Sequence, residues 1–137
     1  MTVDTSLIRS SFKVVEPNGT QVTAYFYDHL FTHHPEVRPL FAPHIDEQRD
    51  RLWAALGALV SNIDNPETLT GMLQNLGRRH VGYGALPEHY PAVGASLIAT
   101  LQHFAGDAWT PAMEESWAGV YGVITDTMLA AGDAVAR

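Results

Sequence analysis

The sequence predicts a single all-α domain, and three observations carry that prediction. Apolar residues recur every three or four positions through nearly all of its 137 residues, the period of one helix face. No segment alternates apolar and polar residues as a half-buried strand would. Proline and glycine fall between the striped segments and separate about six main helices, with no repeat, low-complexity tract or linker.

Each helix is read from its own stripe. The first carries Leu7, Ile8, Phe12 and Val15 and stops at Glu16-Pro17-Asn18-Gly19. The second carries Val22, Phe26, Tyr27, Leu30 and Phe31, and a short turn-like segment follows from Pro35 to Phe41. After Ala42-Pro43, the stripe Ile45, Leu52, Leu56, Leu59 and Ile63, interrupted by Gln48, marks a helix over about 45–62. The next helix starts after Asn65-Pro66-Glu67: a capping side chain, a proline suited to the first turn, and an acid near the positive helix end. It shows Leu69, Met72, Leu73, Leu76 and then His80 on one face, and fades at Gly82 and Gly84. A fifth helix begins at Pro87-Glu88, turns Tyr90, Val93, Leu97, Leu101 and Phe104 to one side, and ends at Gly106. The sixth begins at Thr110-Pro111 and shows Met113, Trp117, Tyr121, Ile124 and Met128. Its tail, 130–137, loses the pattern and is expected to fray.

Composition narrows the function. A chain of this length buries roughly two-thirds of its extended surface, enough for a core opened around a ligand. A net charge of -7 speaks against nucleic-acid binding, which needs a basic face. With no Cys, disulfides, thiolate metal sites and a Cys nucleophile are excluded. The start, Met-Thr-Val-Asp, lacks a signal peptide's basic and apolar regions, and no run of eighteen apolar residues occurs. A cytoplasmic protein without a membrane span is therefore expected. No Gly-x-Ser-x-Gly elbow, phosphate loop or close carboxylate pair suggests hydrolysis.

His80 points to chemistry of another kind. In Leu76-Gly77-Arg78-Arg79-His80-Val81-Gly82-Tyr83-Gly84 it takes a place where the stripe calls for Leu. A lone inward His is most often a hydrogen-bonded core residue, and it falls short of the four ligands of structural zinc. Haem differs, because the porphyrin supplies four ligands and asks the protein for one. Gln48, a second inward polar residue, also suggests a buried cofactor. His29, His33 and His34 have the spacing of a metal pair, but they end a helix beside Pro35 without acidic or thiolate company and read as solvated.

Several segments, in order, resemble the flavohaemoglobin-like branch of the bacterial globins, and in particular its single-domain haemoglobins. They are Phe26-Tyr27-Asp28-His29-Leu30-Phe31, His34-Pro35-Glu36-Val37-Arg38-Pro39-Leu40-Phe41, Ser61-Asn62-Ile63-Asp64-Asn65, Arg79-His80, His89-Tyr90-Pro91-Ala92-Val93-Gly94 and Trp117-Ala118-Gly119-Val120-Tyr121-Gly122-Val123-Ile124. The likeness covers about residues 5–130 and implies a 3-over-3 globin sandwich, one domain over 1–137, holding haem b. It implies that His80 is the proximal iron ligand and that Phe41 packs on the porphyrin face. Tyr27 and Gln48 become the distal polar pair, and Leu52 the apolar residue over the ligand pocket. Bound O2 carries partial negative charge, which a Tyr hydroxyl and a Gln amide stabilise more than they stabilise CO. The plainer readings are core aromatics for Tyr27 and Phe41 and a surface amide for Gln48. Arg51 and Arg79 are candidates for pairing with haem propionates, or part of a solvated face. His44, one turn before Gln48, is a lesser candidate for a sixth ligand.

Two departures from that family matter. In flavohaemoglobins a tyrosine and a late-helix glutamate make the proximal imidazole more imidazolate-like. Tyr90 keeps the first partner, while Gly132 stands where the glutamate belongs, with Asp133 beside it. His80 is therefore expected to donate its ring N–H to a carbonyl one turn earlier, near Leu76. The second departure is that no Gly-rich dinucleotide motif follows the globin segment, so steady turnover is expected to need an external reductase. The expected function is reversible O2 binding for storage, delivery or transport, with NO, CO or nitrite as further ligands. The alternative is an NO dioxygenase or nitrite reductase, and a haem-based sensor acting through a partner chain is a third reading.

Overall fold

Asp4 opens the first helix. Its carboxylate accepts from the backbone N–H groups of Ser6 at 3.0 Å and Leu7 at 3.3 Å, which a helix start leaves without partners. Those bonds, with one from the Ser6 hydroxyl as the largest cause, hold the Asp4 carboxyl below its ordinary pKa. The structure, a computed structural model, describes residues 4–82 and 87–136, with side chains as far as 132 in the last helix.

Among the described residues there are no strands; the α-helices are α1 (Thr5–Val15), α2 (Gln21–His33), α3 (Asp46–Ser61), α4 (Pro66–Gly82), α5 (His89–Ala105) and α6 (Pro111–Ala136). Short 3-10 turns stand at Glu16–Asn18, Pro35–Leu40 and Gly106–Ala108. Gly19 and Gly106, at φ 57° and 56°, take a backbone region that L side chains resist, the first closing the Glu16–Asn18 turn and the second ending α5. The Thr110 hydroxyl accepts from the Met113 N–H at 3.1 Å, capping α6. Tyr83 and Gly84 lie outside the described residues.

The helices form two layers, α1, α3 and α4 over α2, α5 and α6. In this arrangement α4 lies along α6, α1 crosses α5 and α6, and α3 rests on α2. The predicted stripes are the buried faces: Ile8, Phe12 and Val15 on α1, Val22, Phe26 and Leu30 on α2, and Leu97 and Leu101 on α5 are all buried. Trp117 of α6, fully buried, donates its indole N–H to the Ser11 hydroxyl at 2.8 Å. That bond gives a buried polar group its partner and fixes the register of α1 on α6.

The tail expected to fray is instead helical to Ala136. The reason is close packing. A Cβ on Gly77 of α4 would come within 2.2 Å of the Met128 carbonyl oxygen, and one on Gly132 within 2.9 Å of Val81 Cγ2. Small residues that weaken an apolar pattern are what let two backbones approach this closely.

Candidate functional site

The candidate residues lie chiefly on α3 and α4. Though consecutive in the chain, these two helices are scarcely in contact. Farther along the stripes Leu56, Leu59 and Leu73 are buried, whereas Leu52, Leu76 and His80 are only half-buried.

His80 stands on the α4 side. Its Nδ1 lies 2.7 Å from the Leu76 carbonyl oxygen, one turn earlier, as the sequence led us to expect. A carbonyl only accepts, so Nδ1 carries a proton, and a neutral ring held this way has its lone pair on Nε2. That is the tautomer a metal-binding imidazole needs, oriented by a backbone carbonyl. The Tyr90 ring is buried beside His80, centroids 6.5 Å apart, and burial raises its phenol pKa. Tyr90 is held from behind: the Tyr121 hydroxyl donates to its carbonyl at 2.6 Å. Only glycine at 94 admits the Tyr121 ring, since a Cβ there would meet Tyr121 Cε2 at 2.6 Å. Gly132 is packed against α4 at Gly77 and Val81, three residues before His80 and one after it. Asp133 has its side chain outside the described residues.

On α3, the Gln48 amide Nε2 donates to the Tyr27 hydroxyl oxygen of α2 at 3.0 Å. Accepting there leaves the hydroxyl proton of Tyr27 directed to a third group, and a hydroxyl that accepts is a better donor. Tyr27 is 2% exposed, and burial raises its phenol pKa against the lowering effect of Gln48. It therefore stays a protonated donor at neutral pH. Rings fix its position: Phe26 at 5.0 Å, Phe41 at 5.5 Å and Phe31 at 5.7 Å between centroids. From α2 the buried Thr23 hydroxyl donates to the Arg49 carbonyl at 3.0 Å, which ties α2 to α3 next to Gln48.

The other sequence candidates lie at the margins. Arg51 pairs with Glu47 at 2.9 Å, four residues earlier on the exposed side of α3. Arg79 is exposed on α4, and His44 is exposed ahead of α3. His29 departs from the solvated reading. Its Nδ1 lies 2.8 Å from the buried Ser96 hydroxyl of α5, and its ring stacks on His33 at 4.1 Å. Among the described residues no group of three or more His, Cys, Asp or Glu could hold a metal ion, and no helix is long and apolar enough to cross a membrane.

One residue of the site escaped the sequence reading. Arg38 spreads its guanidinium over the carbonyls of Phe41 at 3.3 Å, Ala42 at 2.9 Å and Pro43 at 2.8 Å. The only available signal was its place in the Arg38-Pro39-Leu40-Phe41 run.

Known proteins resemble this chain in sequence and in fold. A flavohemoprotein of Deinococcus radiodurans is 34% identical over 127 residues, which are 90% of this chain and 32% of that protein. One of Bacillus subtilis is 34% identical over 126 residues, again 90% of this chain and 32% of its own length. The chain thus spans about a third of the length of these relatives. Among solved structures, a bacterial globin from Campylobacter jejuni superposes with a TM-score of 0.80 at 25% identity, covering 96% of this chain and 95% of that one. An engineered carbene transferase from Rhodothermus marinus, provisionally assigned as a nitric oxide dioxygenase, gives a TM-score of 0.86 at 25% identity over 98% of this chain and 96% of that one. The Globin family profile matches residues 24–128, and with the fold and sequence likenesses it shows that this chain belongs to the globin family.

Proposed function

We propose that this globin binds haem b between α3 and α4, with His80 as its iron ligand, and holds O2 reversibly on the side of Tyr27 and Gln48. The bond from His80 Nδ1 to the Leu76 carbonyl carries this reading, because it fixes the tautomer and aims the other nitrogen away from its own helix. The half-buried apolar stripes of α3 and α4 suit a flat apolar group. With no Cys in the chain, the group is held without thioether links. Haem supplies the iron position that takes a small gas.

The chain's own residues do the rest. Tyr27 donates its proton to a polar ligand, and Gln48 orients that hydroxyl from its oxygen side. Phe41 braces the Tyr27 ring, and Leu52 provides an apolar wall that keeps water from competing. Arg51 and Arg79 flank the site as partners for the haem carboxylates. The Arg51–Glu47 pair, exposed and four residues apart, is worth only about 0.3–0.5 kcal/mol and yields readily to a better acceptor.

The test is spectral. Purified chain reconstituted with haem is expected to show a Soret band and to convert reversibly between deoxy and oxy forms. A chain that takes up no haem overturns the reading.

The neighbour assigned as a nitric oxide dioxygenase favours a second reading, in which the same pair positions O2 for reaction with NO to nitrate. Given NADH and a reductase, many turnovers of NO per haem support it. A single stoichiometric reaction leaves the O2 carrier.

A further inference from the structure

We propose that Arg38 is a positioning residue that sets Phe41, and through it the Tyr27 ring, in place; the inference rests on the haem reading above. The chain turns from the 3-10 segment into extended backbone at Phe41, φ -113° and ψ 155°, before α3 begins at Asp46. Carbonyls at such an end have no helical donors and must be met from elsewhere. Ala42, Pro43 and His44 are exposed, so packing does little to hold this stretch. Arg38 meets three successive carbonyls with two nitrogens: Nη1 serves Phe41 and Ala42, and Nη2 serves Pro43. Only a planar guanidinium presents donors in that fork; a Lys ammonium on its flexible stem does not.

The same group sits over the Phe31 ring, 5.0 Å from its centroid. Phe31 meets Phe41 edge-on at 5.4 Å, and Phe41 meets Tyr27 at 5.5 Å. Arg38 therefore grips the backbone that bears one of these rings and the face of another. It acts on the ligand pocket only through them.

The experiment compares Arg38→Met, Arg38→Lys, Phe41→Leu and the Arg38→Met/Phe41→Leu pair. On the apoprotein, hydrogen exchange over 41–46 is expected to quicken in Arg38→Met while the helices keep their protection. On the haem-loaded protein, transfer of haem to excess apomyoglobin is expected to quicken roughly tenfold in Arg38→Met, and far less when Phe41→Leu is already present. Arg38→Lys falls between and replaces Arg38→Met should that variant fail to fold. Unchanged exchange over 41–46 overturns the proposal, and so do effects of the two single variants that simply multiply. If the wild-type chain takes up no haem, the haem reading fails, and the exchange comparison alone decides the clamp.

Discussion

The two sides of the proposed site are built by different means. On the distal side, side chains do the holding: Gln48 on Tyr27, three Phe rings around it, Thr23 on the Arg49 carbonyl and Arg38 on the backbone at 41–43. On the proximal side, backbones do most of it: α4 lies on α6 through glycine and His80 is aimed by a carbonyl of its own helix, with the Tyr121 hydroxyl on the Tyr90 carbonyl as the side-chain exception. A distal wall of side chains can be tuned one residue at a time. A proximal wall of close-packed backbone holds one imidazole and tolerates little change.

The largest effect that sharpens this contrast is His80→Ala. We expect the Soret band to be lost and partly restored by free imidazole, because the truncation opens room for it. An unchanged spectrum moves the proximal ligand to another residue.

Next is the support of α4. In Gly77→Val the new side chain meets backbone atoms of Met128, at 2.2 Å from the carbonyl oxygen, and backbone cannot step aside as a side chain can. Overpacking of this kind costs about 3 kcal/mol, or roughly 10 °C in melting temperature for a domain of this size. Gly71→Ala, in the same helix with nothing within 4 Å, is the control. It should be stabilising by about 0.5–1 kcal/mol, since Ala favours the helix more than Gly does. Equal melting temperatures for the two variants break the backbone account of the proximal wall.

The contrast also explains what is legible in the sequence. Side chains in helical register announce themselves, so the stripes, the cap at Thr110-Pro111, and the inward places of His80 and Gln48 can be read from residue order alone. Backbone proximity leaves only small residues as its mark, and the tail at 130–136 reads as patternless although α6 runs through it. The bond from His29 to Ser96 spans 67 positions, and neither residue signals the other. Arg51 shows the opposite limit: its Glu47 partner stands four residues away, a spacing that by itself marks a helix ion pair without any cofactor. Arg38 leaves no pattern because its partners are carbonyls, which every residue has.

Within the distal wall the two polar residues should differ. In the proposed reading Tyr27 is the donor to the ligand, and a hydrogen bond to a charged acceptor contributes about 1.5–3 kcal/mol. Tyr27→Phe is therefore expected to speed O2 release by roughly ten- to a hundredfold. Gln48 acts through the Tyr27 hydroxyl, so Gln48→Leu should speed release only several-fold and add little to Tyr27→Phe in the double variant. Flash photolysis or stopped-flow dissociation rates check this. A larger effect from Gln48→Leu than from Tyr27→Phe reverses the two roles.

The smallest effect tests whether the distal helix alone is sensitive to acid. Burial, then the nearby His33 and His34, lower the His29 pKa below its ordinary value of 6.5. The unfolded chain therefore binds a proton at this site more readily than the folded one. Stability contributed here is complete above about pH 6.5 and falls as the pH drops toward the lowered folded value. A charged ring is also repelled by His33, stacked 4.1 Å away, and the strain falls on α2, two residues from Tyr27. In urea titrations between pH 7.5 and 5, wild type should lose more stability than His29→Gln. O2 release from wild type should quicken over the same range. If His29→Gln loses as much stability in acid as wild type, the acid response originates elsewhere, and the back of α2 does not set the distal wall.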